Sequence, residues 1–271
     1  MSGRASNTVE ELLDFLDLEH IDGDLYRGRA GVWPADRPAI FGGETAAQAL
    51  RAAAHTVPEG RLPHSLHGYF LRPGDLSLPV LFHVDRDRDG RSFSSRRVAA
   101  TQRGEVIWEM SCSFVEPVDG PEYVHRPLPD VPPPDDCPPT TNDWCVLAEI
   151  RLALGDRGEP LRQPWGDRLW TRVAGPLPPD PILHACLHAF TSDLGAGFGD
   201  LDVEGVPPMG PSLDHALWFH HPSRADDWVI WDCVPVKVGS LRGLYTGTAH
   251  DRSGRLVATV AQEMLLRPPR V

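Results

Sequence analysis

The sequence predicts an α+β protein made of two tandem domains, each a central helix wrapped by an antiparallel β-sheet. The first observation is a repeat: PHSLHGYFLRPGD, from Pro63 to Asp75, and the following GRSFSSRRVAATQRGEVIWEMSCSF return in weakened form as SLDHALWFHHP, from Ser212 to Pro222, and SGRLVATVAQEMLL, from Ser253 to Leu266. In both copies a His sits in an aromatic, apolar run that ends in Pro, and a glycine-centred turn leads into β-forming residues. Self-similarity at one long period marks a duplicated domain. The second observation is order, because in each half a helix signal is followed by a series of strand signals. The third is length, since 271 residues suit two domains of ordinary size and can bury a substantial core.

Along the chain, Val9 to Leu18 carries apolar residues at helical spacing, with Thr8 as a capping residue and Glu11 three positions on, which predicts a short amphipathic helix. After the turn-rich Trp33–Pro38 comes FGGETAAQALRAAAHTV, two glycines and then alanines with no β-branched run. It predicts a helix from Glu44 to His55, enclosed on all faces because its residues are small. Strands follow at Leu62–Phe70, Val80–Asp87, Phe93–Arg103 and Glu105–Val115, with Gly90 and Gly104 in the turns. From Pro117 to Thr141 the composition changes to Pro, Asp and Thr, a pattern of extended linker chain. The division is thus residues 1–116 for the first domain, 117–144 for the linker and 145–271 for the second. The second unit repeats the order: strands at Glu149–Leu154 and Leu169–Val173, a helix at Pro181–Asp193, then strands at Leu213–His220, Trp228–Val238, Gly243–His250 and Leu256–Leu266. The sequence leaves open whether each sheet has four, five or six strands.

A net charge of −12 argues against a general binder of nucleic acid or anionic membrane, because polyanion binding is carried by Lys and Arg. Arg86, Arg88, Arg91, Arg96 and Arg97 nevertheless form a local basic cluster, which reads either as solvated strand edges or as phosphate contacts. The five cysteines are odd in number, with neither C-x-x-C pairs nor zinc spacing, and read as reduced thiols. The N-terminus lacks an apolar signal core, no long apolar run occurs, and Arg267–Val271 is not a peroxisomal signal. The expectation is a cytoplasmic protein without membrane insertion and without metal or other cofactor.

Placing the halves about 150 positions apart sets Gly104 on Gly254, Met110 on Val260 and Cys112 on Gln262. Gln262 therefore interrupts an apolar strand, VATVAQEML, where a side-chain amide is costly unless hydrogen-bonded. Asp193 follows a helix C-terminus, where the macrodipole disfavours negative charge. It reads as a local Asx turn into Gly195 or as an acid retained for function. Ser212 alone reads as a turn hydroxyl. His64, His67 and His215 lie in strand-like runs without ligand spacing and read as core or hydrogen-bonded residues. There is no G-x-S-x-G elbow, which removes a serine hydrolase of the α/β type.

PHSLHGYFLRPGD, the Arg-rich run after it, FGGETAAQAL and DHALWFHHP together resemble the acyl-CoA thioesterase II family, whose members are double-hotdog proteins. The resemblance runs from about Leu12 to Leu266 and is weakest between about Glu116 and Asp167. It implies hydrolysis of a fatty acyl-CoA thioester to free acid and coenzyme A, and a homo-oligomer. It also implies site residues: SDL carries the catalytic aspartate, here Asp193; VAQEM carries the glutamine that helps bind the hydrolytic water, here Gln262; and the hydroxyl two residues before the DH pair, commonly threonine, is here Ser212. Such a hydrolysis needs a water held against the carbonyl carbon, a base and oxyanion donors. Burial that raises the pKa of Asp193 is expected of a carboxylate in the role of base. Gly42 and Gly43, at the start of the first helix, are candidate oxyanion donors. Glu44, where the family more usually has glutamine, reads either as a stabilising first-turn acid or as a second base. His67, Arg96 and Arg97 complete the expected substrate-contact set. The competing reading is a non-catalytic acyl-CoA-binding or regulatory protein of the same fold.

Overall fold

The computed structural model describes residues 9–29, 38–139, 148–153, 168–194 and 210–266. Thr8, Trp33 to Arg37, the end of the linker, Cys145, Leu154, Gly195 and Arg267–Val271 lie outside them. The first half contains helix α1 (Val9–Leu16), strands β1 (Glu19–Asp22) and β2 (Leu25–Gly28), helix α2 (Gly42–Ala54) and strands β3 (Leu62–Phe70), β4 (Val80–Asp89), β5 (Phe93–Gln102) and β6 (Glu105–Val115). The second half contains β7 (Ala148–Leu152), β8 (Arg168–Val173), α3 (Pro181–Ser192), β9 (Asp214–Phe219), β10 (Val229–Gly239), β11 (Arg242–Asp251) and β12 (Leu256–Leu265).

All described strands join one twelve-stranded antiparallel sheet in the order β1-β2-β4-β5-β6-β3-β9-β12-β11-β10-β8-β7. The second half is the first read outward from the middle, so each half contributes six strands. The seam is the antiparallel pair β3–β9, in which Ser65 faces Trp218, His67 faces Ala216 and Tyr69 faces Asp214. β1 and β2 escaped the sequence reading because each is only four residues long. All four residues of β1, EHID, are exposed, so no buried face stamps a period of two on it.

Helices α2 and α3 lie side by side and antiparallel inside the sheet. At one end Arg51 of α2 pairs with Asp180, the N-cap of α3, at 2.9 Å. At the other, the first residues of α2 abut the last of α3 so closely that a Cβ on Gly43 would lie 2.4 Å from the Phe190 carbonyl oxygen. Ala46, Ala47, Ala49, Ala52 and Ala53 of α2 are fully buried, and the core around both helices is completed by large side chains of the sheet, among them Phe82, Trp108, Phe114 and Leu217. The helix begins at Gly42, two residues before the predicted start, because Phe41 in extended conformation serves as its N-cap.

The linker does more than connect. The Trp170 indole donates to the Pro132 carbonyl at 3.0 Å, His250 Nε2 meets the Arg126 carbonyl at 3.0 Å, and Leu128 and Val131 cover a small apolar cluster of Cys137, Ala153, Trp170, Trp228 and Ile230. Trp228 is buried beneath the linker side, whereas Trp218 at the seam is exposed.

Candidate active site

Three elements of the second half and one of the first converge at one end of the helix pair. The last turn of α3 hands over to Asp193, its C-cap. Ser212 forms a single bridge with Met264, which brings its hydroxyl beside the end of β12. Gln262 sits on β12 with its side chain turned inward, 2 % exposed. The Gln262 amide donates to Asp193 Oδ1 at 2.9 Å and to Ser212 Oγ through a short contact, so two residues fifty and sixty-nine positions away are bound to one NH2 group. Its carbonyl accepts from the Tyr245 hydroxyl at 2.6 Å and faces His215 Nδ1 at 2.7 Å.

The Asp193 side chain is only 6 % exposed, and burial pushes its carboxyl above the ordinary carboxylate range; His215, 3.9 Å away, the Gln262 amide and the Gly43 N–H all pull it back. The Gly43 contact revises the sequence argument about cost. Asp193 does stand at the unfavourable end of α3, but it faces the N-terminus of α2, whose peptide dipoles favour an anion. The N-cap residue Phe41 provides no side-chain acceptor, the Gly43 N–H turns to Asp193, and the N–H of Gly42, first in the helix, has no acceptor within it. The absence of Cβ atoms is what permits the approach, since one on Gly42 would lie 2.6 Å from Asp193 Oδ2.

Asp193, Ser212, Gln262 and Gly42 open on a cleft of about 740 Å³ whose other walls include Ile40, Phe41, Phe70, Ile107 and Met264. Phe70 packs on Trp108 with ring centroids 4.4 Å apart, making one wall aromatic. A mostly apolar cleft with a few convergent polar groups at its base is the usual form of a small-molecule site. Arg72 also lines it, with its guanidinium on the Val106 carbonyl at 2.7 Å and Glu105 at 2.9 Å.

The remaining predicted residues fall elsewhere. Gly43 touches Asp193 through its N–H, but Gly43 and Glu44 do not line the cleft, and Glu44 is buried inside α2. His67 lies at the seam, 49 % exposed, with Nε2 3.1 Å from Asp214 Oδ2. Asp214 therefore pairs across the seam and not with its neighbour His215, because successive strand residues face opposite sides of a sheet. Arg96, expected to touch substrate, has a side chain that is 0 % exposed and spends its donors on Thr56, Asp89 and the carbonyls of Arg88 and Ser95. Arg97 is 60 % exposed and pairs with Asp85 and Asp87. Arg96 and Arg97 stand on neighbouring positions of β5 and so point to opposite faces, and neither reaches the cleft. Sequence reasoning passed over Tyr245 and Arg72, and its reading of His215 as a core or hydrogen-bonded residue agrees with a buried ring bonded to Ser192 and Gln262.

Residues 29–115 match the family model described as the acyl-CoA thioesterase N-terminal domain, and residues 99–266 that of the acyl-CoA thioesterase C-terminal domain. Over 280 residues, 93 % of this chain and 87 % of the relative, the sequence is 37 % identical to acyl-coenzyme A thioesterase 8 of Homo sapiens. It is 31 % identical to acyl-CoA thioesterase 2 of Haemophilus influenzae over 97 % of this chain and 99 % of that one. Among solved structures, the acyl-CoA thioesterase II TesB2 of Mycobacterium marinum superposes with a TM-score of 0.79 at 39 % identity, covering 94 % of this chain and 98 % of that one. A hot dog fold protein of Alicyclobacillus acidocaldarius, 24 % identical with a TM-score of 0.78 over 95 % of this chain and 98 % of its own, shares the fold.

Proposed function

The chain belongs to the acyl-CoA thioesterase II family, double-hotdog thioester hydrolases, and from that premise we propose that it cleaves fatty acyl-CoA to free acid and coenzyme A with a water activated by Asp193. The observation that carries this reading is the single Gln262 amide bound to both Asp193 and Ser212 at the base of an apolar cleft. Such a cleft suits an acyl chain, and the polar group at its end suits a water.

In this mechanism Asp193 takes a proton from a water held with the help of Gln262 and Ser212, as the water oxygen adds to the thioester carbon. A carboxyl whose pKa is raised by burial is a better base than an ordinary one, provided that it is ionised at working pH. The oxyanion forms near the N-terminus of α2, where the Gly42 N–H and the helix dipole oppose its charge. Collapse of the tetrahedral adduct breaks the C–S bond, and the proton on Asp193 passes to the departing thiolate. Arg72 at the rim offers a cation to the polyanionic end of coenzyme A.

The test is release of free thiol by the pure protein from acyl-CoAs of graded chain length, with Asp193→Asn as the control. Turnover that falls by about 10²-fold or more in the variant supports the assignment. Thiol release that is unchanged in the variant overturns it, and no release from any acyl-CoA by the wild type overturns the activity itself.

A further inference from the structure

Gln262 has four hydrogen-bonding positions, and all four are taken. Two N–H groups serve Asp193 and Ser212, and the carbonyl oxygen lies 2.6 Å from the Tyr245 hydroxyl and 2.7 Å from His215 Nδ1. A carbonyl oxygen has no proton to give, so both neighbours must donate to it, and His215 must carry a proton on Nδ1. Tyr245 and His215 are each 0 % exposed, so no bulk water substitutes for either donor. Burial holds the Tyr245 hydroxyl well above its ordinary pKa, which keeps its proton in place. His215 is braced in turn by Ser192, whose Oγ lies 2.7 Å from Nε2 and 2.8 Å from the Ala189 carbonyl oxygen. Ser192 immediately precedes Asp193.

Rotating the amide by half a turn would set its oxygen against the Asp193 carboxylate and its NH2 against two donors. We propose that Tyr245 and His215 are positioning residues that lock the Gln262 amide with its NH2 toward Asp193 and Ser212. The proposal rests on the reading of Asp193 and Ser212, the two groups that this NH2 holds in place, as the ones that hold the water. Neither residue lines the cleft; each makes its hydrogen bond toward it through Gln262, and His215 also stands 3.9 Å from Asp193 Oδ1.

The experiment is a double-mutant cycle. Tyr245→Phe removes one hydroxyl and little else; it should lower kcat about tenfold with KM within about twofold, and add less than about twofold once Gln262→Ala is present. His215→Asn, which can keep a donor near the Nδ1 position, should retain more turnover than His215→Leu at similar Tm. A loss from Tyr245→Phe that is fully additive with Gln262→Ala overturns the proposal. A second readout needs no turnover: the Gln262 side-chain NH2 signals in ¹⁵N NMR, identified by their loss in Gln262→Glu. They should exchange with solvent faster in Tyr245→Phe than in the wild type, and unchanged exchange sinks the proposal. If the wild type releases no thiol from any acyl-CoA, the functional reading fails while the amide signals still decide this one.

Discussion

Cys112 and Gln262 stand on the same rung of the two half-sheets. Cys112 pairs with Arg96 on β5 as Gln262 pairs with Tyr245 on β11, and each lies one rung beyond the centre of the seam, where His67 faces Ala216. The same backbone thus carries two different constellations. In the first half the Arg96 guanidinium donates to Thr56 Oγ1 at 2.7 Å and to the Thr56 carbonyl at 2.9 Å, a cation just past the C-terminus of α2, where the macrodipole favours it. In the second half an anion, Asp193, stands past the C-terminus of α3 and is compensated from outside by α2. Cys112 is buried, its thiol pushed up to about 12 by desolvation. Among the described residues, the Asp193–Ser212–Gln262 arrangement has no counterpart at the Cys112 position, which offers a buried thiol in place of an amide.

Arg96 is therefore expected to matter for stability and not for substrate. Arg96→Ala orphans the buried Thr56 carbonyl, at a cost of about 1–3 kcal/mol, and removes the charged partner of the Thr56 hydroxyl, which keeps its bond to Ala53, so it should lower Tm clearly. KM for acyl-CoA at a temperature where the variant is folded should stay within about twofold of wild type. Arg97→Ala, whose pairs are exposed, should change Tm little. A large rise in KM from Arg96→Ala with unchanged Tm would return the residue to the substrate site.

Asp193→Asn should separate activity from stability. Raising the native pKa of an acid means that the folded state binds more protons than the unfolded one between the two pKa values, so stability falls as pH rises through that window. Asparagine lacks this penalty. The variant should thus melt at or above the wild-type temperature at neutral pH, and its advantage should shrink as pH falls toward the ordinary carboxylate value of 3.8. The acid limb of the wild-type kcat profile should have its midpoint above that value for the same reason. An advantage that is constant with pH, or a midpoint at or below 3.8, contradicts a raised carboxyl.

Among the polar groups of the cleft, turnover should depend on what each group does to the water. Asp193→Asn removes the base and should cost about 10²-fold or more. Gln262→Ala should cost less and Ser212→Ala least, because they position a water that the base can still reach. Glu44→Gln should leave kcat within about threefold, as Glu44 is buried in α2 and does not line the cleft. Steady-state kinetics of the four variants decide the order. Activity kept by Asp193→Asn and lost by Glu44→Gln would move the base to the first half.

The fold was legible because each half repeats a strong local order: a helix, Ala-rich and opened by Gly in the first half and opened by Asp180-Pro181 in the second, then alternating strands punctuated by Gly104 or Gly254. Asp193, Ser212 and Gln262 were reachable through the family motifs. Tyr245 was not, for a topological reason. Counting back from the β11–β12 turn, where His250 faces Leu256, would set Leu244 opposite Gln262; the register shift between Ala249 and His250 replaces it with Tyr245. A one-residue slip moves a side chain to the other face of the sheet, so the residue that braces the amide is invisible without coordinates. The arginines misled in a similar way. Adjacent Arg96 and Arg97 read as one basic cluster, yet one is sealed inside and the other points to solvent.

The two glycines that open α2 should respond differently to the same added methyl group. On Gly43 the new Cβ would lie 2.4 Å from the Phe190 backbone oxygen, which can retreat only if α3 moves as a whole. Overpacking of that kind costs about 1–3 kcal/mol, so Gly43→Ala should show mainly as a lower Tm. On Gly42 the nearest atoms are Asp193 Oδ2 and the Phe70 ring, both 2.6 Å away and both on side chains that can rotate. Gly42→Ala should melt closer to wild type but lose about 10-fold or more in kcat, because the carboxylate is displaced from the amide that holds it. Thermal melts and thiol-release kinetics on both variants test the contrast. Equal Tm losses with no kcat loss in Gly42→Ala would mean that the approach of α2 to Asp193 is structural only.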